Sequence, residues 1–226
     1  MKLSWQQIPS PMISEMLCQD FDGVVLDTEH GCFNNETIYN CIQIVTSYNK
    51  KCFVRLTEVN KTLIRLCLDA GATGLIFSTV ETLEQAENIK QFCTFPKYGG
   101  SRGLGLVRQN FWGYDGLVKQ NPIIILQIET LKGVANLPEI HKRYNFDHYM
   151  IGPYDLSASM GIPAEFDNPK YVEILQQIKK IITNPAQMAV HIPSNVDKQI
   201  DKYSNYGIIA VGMDTIVLLE GYKELK

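Results

Sequence analysis

The feature that most constrains this chain is a rhythm: eight short β-rich runs recur along 226 residues, with helix-length segments between them. We expect strands at Leu3–Ile8, Gly23–Asp27, Cys52–Leu56, Gly74–Ser78, Ile123–Glu129, His148–Gly152, Met188–Ile192 and Ile208–Gly212. Runs such as "GVVL" are apolar at successive positions, as strands covered on both faces are. In the intervening segment Asn34–Asn49, Ile38, Cys41, Ile42 and Val45 fall on one helical face, and "TLIRLCLDA" is followed by Gly71, a residue that closes helices. Strand and helix in strict alternation imply parallel strands joined by right-handed crossovers. Eight such units predict an α/β chain closed into a (β/α)8 TIM barrel, a single domain over residues 1–226. A doubly wound open sheet is the rival.

Composition narrows the function classes. A net charge of −3, with no Lys/Arg stripe, argues against a nucleic-acid partner. No run reaches the roughly 18 apolar residues of a membrane span. The first residues also lack a signal-peptide core, so we expect no membrane partner and a cytoplasmic location. Six cysteines without a C-x-x-C pair read as reduced core thiols, with Cys32, beside a charged cluster, set apart.

Barrels do their chemistry at the C-terminal ends of the strands. The second strand ends in Asp27-Thr28-Glu29-His30, the third carries Arg55, the fifth carries Gln127 and Glu129, and the sixth leads to Asp155. Glu129 and Asp155, from neighbouring strands, are hard oxygen donors suited to an octahedral divalent cation. Arg55 suits an oxyanion, and His30, held by Asp27, can move protons near neutral pH. Each has a plainer account alone: Asp155 can cap a helix, Arg55 can pair with Glu58, and His30 can be satisfied beside Glu29. Their coincidence at four strand ends favours chemistry. Of the other histidines, His141, His148 and His191, only His191 stands near a strand end that approaches the mouth. The long stretch from Glu81 to Asn121 holds one amphipathic helix and then a loop rich in Gly, Arg and aromatics, a length that is usually functional. Its "GGSRGLG" lacks the third glycine of a dinucleotide loop, and leaves Arg102 as a candidate anion contact.

Together, "FDGVVLDTEHG", "FVRL", "LDAGATGLIFSTVETLEQAE", "GGSRGLG", "QIET", "IGPYDLSASMG" and "IIAVGMDT" resemble, in order and approximate spacing, the HpcH/HpaI aldolase family of metal-dependent class II pyruvate aldolases. The resemblance implies a barrel that binds pyruvate through Mg2+, Mn2+ or Co2+. It implies reversible cleavage of a 4-hydroxy-2-oxo acid to pyruvate, or a related 2-oxo acid, and an aldehyde through an enolate. Residue by residue, it assigns Glu129 and Asp155 to the metal, Arg55 to the keto oxygen and enolate, and His30 paired with Asp27 to proton transfer. Gln127 and the turn of Gly152, Pro153 and Tyr154 are assigned to substrate, the turn holding the pyruvate carboxylate. It also implies a homo-oligomer, trimer or hexamer. Tyr154 stands where the family often has a small residue, which implies a phenol that narrows the pocket or reaches the substrate. The aromatic stretch Arg108–Asp115 is expected to close over the acceptor or to pack against a neighbouring subunit. No lysine stands at a matching strand end, so a Schiff base is disfavoured. Two alternatives stay open: a citrate-lyase-like enzyme acting on a CoA thioester, and a non-catalytic barrel that binds a 2-oxo acid.

Overall fold

Eight parallel strands close in sequence order, β1 (Lys2–Gln6), β2 (Gly23–Asp27), β3 (Lys51–Leu56), β4 (Gly74–Phe77), β5 (Ile123–Ile128), β6 (His148–Ile151), β7 (Met188–Ile192) and β8 (Ile208–Val211), with β8 pairing back to β1. The computed structural model describes residues 1–114, 116–117 and 121–225. The open-sheet alternative is thereby excluded. Every expected strand is present, its ends within two residues of the expectation. The largest difference is at β1, which stops at Gln6 because its Nε2 donates to the carbonyls of Ile8 and Ser10 and turns the chain before Pro11.

Helices α1 (Pro11–Leu17), α2 (Asn35–Ser47), α3 (Lys61–Ala70), α4 (Leu83–Cys93), α5 (Leu131–Tyr144), α6 (Pro153–Ser159), α7 (Pro169–Ile181), α8 (Val196–Gln199) and α9 (Asp214–Lys223) follow the strands. Their starts are written in the sequence. Asn34, Asn60 and Thr82 cap α2, α3 and α4, and Thr82 forms a reciprocal capping box with Gln85. Gly71 closes α3 at φ +101°, a conformation that costs other residues a Cβ clash.

Strand alternation splits the core in two. Leu3, Trp5, Val25, Phe53, Ile76, Ile125, Met150, Ala189, Ile208 and Ala210 fill the barrel interior. Val24, Leu26, Val54, Leu75, Leu126 and their neighbours face the helices. Residues two further along each inward row, such as Asp27, Arg55 and Gln127, therefore arrive at the mouth. Five of the six free cysteines are buried and Cys32 is exposed.

Topology corrects one expectation. The long connection after α4 joins a helix end to a strand start, so it lies on the N-terminal face of the barrel, opposite the mouth. Arg108 donates to the Ala70 carbonyl at 2.7 Å and to the Gln43 carbonyl at 3.4 Å, neutralising the negative end of α3. Phe111 and Trp112 are held there with left-handed φ of 51° and 53°, exposed to solvent. This stretch does not close over its own barrel's mouth. Its last residue, Asp115, lies outside the described residues.

Candidate active site

The mouth is built on a saturated carboxylate. Asp27 and Arg55 are paired neighbours in the β2–β3 register, and Arg55 spans the carboxylate with Nε to Oδ1 at 2.8 Å and Nη2 to Oδ2 at 2.6 Å. Trp5 Nε1 and Gln7 Nε2 donate to Oδ2 at 3.1 and 3.2 Å. The backbone N–H groups of Glu29 and His30 donate to Oδ1 at 3.1 and 3.3 Å. Burial alone would raise the Asp27 carboxyl. The hydrogen bonds and charge of Arg55, with Trp5 and Gln7, more than reverse that and hold it below its ordinary value.

The expected side-chain pair of His30 with Asp27 is therefore not formed. Arg55, Trp5 and Gln7 take the carboxylate's lone pairs, and His30 meets it only through its backbone, its ring exposed at the mouth. The Arg55–Glu58 surface pair is absent too. Arg55 is buried and reaches Glu29 instead, Nη1 to Oε2 at 2.7 Å. Bidentate contact on one edge and a carboxylate on the next fix the guanidinium in its plane.

Across the mouth, Glu129 is buried at the end of β5. Its Oε1 accepts from the N–H and hydroxyl of Thr79 at 2.6 and 2.7 Å, and its Oε2 accepts from Gln127 Nε2. Thr79 adopts φ +51°, a strained conformation for a β-branched residue, and that turn aims both of its donors at Glu129. Gly152 packs so closely on Glu129 that a Cβ would collide with it. Burial raises the Glu129 carboxyl, Thr79 partly offsets this, and the charges of Glu29 and Asp155 push it further up.

Asp155 sits in the first turn of α6, exposed, its carboxylate without a hydrogen bond among the described residues; Gly152, not Asp155, is the N-cap. Pro153 opens the helix, so the N–H groups of Tyr154 and Asp155 have no intrahelical acceptor. Tyr154 points away from that turn onto Phe166, edge to face at 5.2 Å.

Four carboxylates, from Asp27, Glu29, Glu129 and Asp155, thus stand against the single guanidinium of Arg55. Among the described residues no group of three or more His, Cys, Asp or Glu side chains converges as a ligand set. The donors that fit a hard cation are the two carboxylates of Glu129 and Asp155 and the buried Gln127 Oε1, which has no partner among the described residues. An oxygen-only set with room for water or substrate oxygens suits Mg2+, Mn2+ or Co2+ rather than a soft ion.

Sequence reasoning missed Trp5, Thr79 and the part played by Glu29. Trp5 and Glu29 were open to detection, since they fall two residues from Leu3 and Asp27 on inward-facing rows. Thr79 carries no such signal, because its role depends on a backbone conformation. His191 does approach the mouth: its ring stacks on Trp5 at 4.0 Å and 12°. In "GMDT", Asp214 is structural, accepting the N–H groups of Gln7 and Ile8 at 2.9 Å each and so fixing the segment that brings Gln7 to Asp27. Arg102 is buried at the far end of the barrel, apart from this site.

A closed parallel barrel with acidic and cationic groups gathered at its C-terminal mouth has the arrangement of a TIM-barrel enzyme site. The chain belongs to the HpcH/HpaI aldolase/citrate lyase family, whose sequence profile matches residues 7–220. It is 30% identical over 206 residues to 2-keto-3-deoxy-L-rhamnonate aldolase of Escherichia coli K12, covering 87% of this chain and 76% of that protein. It is 28% identical over 223 residues to the 2-keto-3-deoxy-L-rhamnonate aldolase of Klebsiella pneumoniae, covering 94% and 82%. A solved HpcH/HpaI aldolase/citrate lyase family protein from Burkholderia cenocepacia superposes with a TM-score of 0.89 at 22% identity, over 100% of this chain and 92% of that one.

Proposed function

We propose that this protein is a divalent-cation-dependent aldolase that cleaves a 4-hydroxy-2-oxo acid to pyruvate, or a related 2-oxo acid, and an aldehyde. The observation that carries the reading is the buried Glu129 carboxylate. Thr79 and Gln127 orient it, burial and the charges of Glu29 and Asp155 raise its carboxyl, and no cation among the described residues pairs with it. Glu129 and Asp155 would hold the cation, with Gln127 Oε1 beside them. When bound, such a cation supplies Lewis acidity toward the 2-oxo acid's keto oxygen.

The chain's own residues do the rest. The free N–H groups of Tyr154 and Asp155, at the turn from Gly152, orient the substrate carboxylate. His30, exposed at the mouth, takes the proton of the C4 hydroxyl. The C3–C4 bond breaks, its electron pair goes to C3 as the enolate of pyruvate, and C4 leaves as the aldehyde carbonyl. Arg55, pinned by Asp27 and Glu29, presents fixed positive charge to the developing enolate oxygen. A proton returned to C3 completes pyruvate. A Schiff base finds no support, as Lys50 and Lys51 stand at the opposite end of β3.

Pyruvate release from a panel of 4-hydroxy-2-oxo acids of three to seven carbons beyond the carboxylate tests the reading. We expect turnover that chelation abolishes and a divalent cation restores. A protein inactive on the whole panel with every cation would refute it.

One feature favours the CoA-thioester alternative. A cavity of about 460 Å3 between α7 and the segment after β7 is lined by Tyr154, Phe166, Tyr171 and Tyr203, with Lys179 and Lys202. Its lining also takes in Pro153 and the β7 residues from Met188 to Ile192. Coenzyme A that raises the Tm or inhibits turnover would promote this reading.

We further propose a homo-oligomer. Val217, Leu218, Leu219, Tyr222 and Leu225 are exposed around α9, an apolar surface that water does not favour. No helix among the described residues is long and apolar enough to cross a membrane. The cytoplasm is the compartment we propose, since six free thiols suit a reducing milieu.

A further inference from the structure

The edge contacts of Arg55 fix its position in the guanidinium plane, but they leave the tilt of that plane to whatever lies beneath. Trp5 lies there, with the Arg55 Cζ 4.9 Å from the indole centroid. Trp5 is itself held on two sides. Its Nε1–H donates to Asp27 Oδ2, the atom that also takes Arg55 Nη2, and its ring lies 4.0 Å from His191 at an interplanar angle of 12°. His191 Nε2 makes a 2.9 Å hydrogen bond to the Gly212 carbonyl, and Gly212 in turn donates its N–H to Ile192 at 2.8 Å, locking the ends of β7 and β8 together.

We propose that His191 is a positioning residue for the aldolase site: its imidazole is the lowest plate of a His191–Trp5–Arg55 stack that sets the tilt of the guanidinium toward the substrate's oxygen. The inference rests on the reading of Arg55 given above. Three observations carry it. The carbonyl partner requires hydrogen on Nε2, so that nitrogen is spent on Gly212 and is no proton carrier to substrate. A flat ring nearly parallel to the indole at 4.0 Å backs its face, which an aliphatic side chain at this inward position would not do as evenly. The plate also has to be neutral, because a second cation under Trp5 would repel Arg55. Burial, with the Arg55 charge, lowers the His191 ring to about 4, against the weaker pull of Gly212 and Asp27, so it is neutral at physiological pH.

The test uses Trp112→Phe as the parent, leaving Trp5 as the only tryptophan of the chain's two. His191→Ala removes the plate, and His191→Phe restores a flat ring without the hydrogen bond. Turnover is measured together with quenching of Trp5 emission by oxalate, a mimic of the pyruvate enolate. A tilted guanidinium should lower kcat roughly ten- to a hundred-fold in His191→Ala, since small misplacements have effects of that size. KM for the 2-oxo acid should stay within about three-fold, oxalate binding should weaken along with kcat, and His191→Phe should recover most of both.

Wild-type kcat and oxalate affinity in a folded His191→Ala would overturn the proposal. So would a His191→Phe variant as impaired as His191→Ala, which would make the imidazole itself the active group. Should the parent lack turnover altogether, the aldolase reading fails alone, and the oxalate titration still decides whether His191 supports Arg55.

Discussion

The molecule contains two buried arginines in nearly the same setting, and only one of them is in the candidate site. Arg55, at the C-terminal mouth, lies on Trp5 and meets two carboxylates, Asp27 and Glu29. Arg102, at the N-terminal face, lies on Phe95 at 4.4 Å and meets Asp69 at 3.2 Å and Gln109 at 2.7 Å, with no partner for Nε and Nη1 among the described residues. Stacking and burial are shared; the sign of the surrounding charge is not. Around Arg55 the carboxylates exceed the cations, with Glu129 and Asp155 at the same mouth and Glu129 raised by burial and by the charges of Glu29 and Asp155. Around Arg102 the described residues show a single carboxylate partner, Asp69, and its contacts tie a long loop to α3. A buried arginine thus marks a site only where negative charge is left over for a cation to neutralise.

The comparison breaks most sharply at Asp155, an exposed carboxylate with no hydrogen bond among the described residues. Asp155→Ala should reduce cation-dependent kcat/KM by roughly 1,000-fold or more, because the loss falls on Lewis-acid stabilisation worth several kcal/mol. Its melting temperature should be nearly unchanged. Activity surviving in the chelated variant would remove Asp155 from the cation site.

Next are the arginines themselves. Arg55→Lys cannot reproduce the bidentate contact and should lower kcat roughly 100- to 1,000-fold. Arg102→Lys should leave kcat unchanged and cost about 1–3 kcal/mol of stability, through its lost contacts to Asp69 and Gln109. Equal losses of kcat in both variants, measured at matched folded fractions, would erase the distinction.

The smallest effect concerns pH. Asp27, held below its ordinary value, contributes stability that is present above that value and lost as pH falls through its folded pKa. Glu129 has the opposite sign. Its folded pKa is raised, so ionising it disfavours the fold once pH climbs above the ordinary glutamate range near about 4.3. Glu129→Gln, in chelator, should therefore raise the Tm near neutral pH, by an amount that shrinks toward pH 4. Saturating divalent cation should reverse the order by stabilising only the parent. A Glu129→Gln variant less stable at neutral pH in chelator would show that the carboxylate is not strained by its surroundings.

How much of this was legible beforehand follows the same physical division. Alternating apolar runs gave the barrel, because covered strands and capped helices are local patterns, and Gly71 and Thr82 mark helix ends in plain letters. The strand-end rule brought Asp27, Arg55, Gln127 and Glu129 to one mouth. It did not show that Asp27 would give its side chain to Arg55 rather than to His30, since that choice depends on strand register across β2 and β3. Nor did it show Thr79, whose left-handed turn is a tertiary fact. The long loop misled for a topological reason. Its glycines and aromatics look functional until one asks which face an α-to-β connection occupies.

The central claim, that the mouth stabilises a pyruvate enolate with the help of a divalent cation, is tested most directly by exchange of pyruvate methyl protons in D2O, followed by NMR. The account predicts no exchange in chelated protein, exchange on adding Mg2+, Mn2+ or Co2+, and its loss in Arg55→Lys. Absence of exchange with every cation, or exchange that persists after chelation, would contradict it.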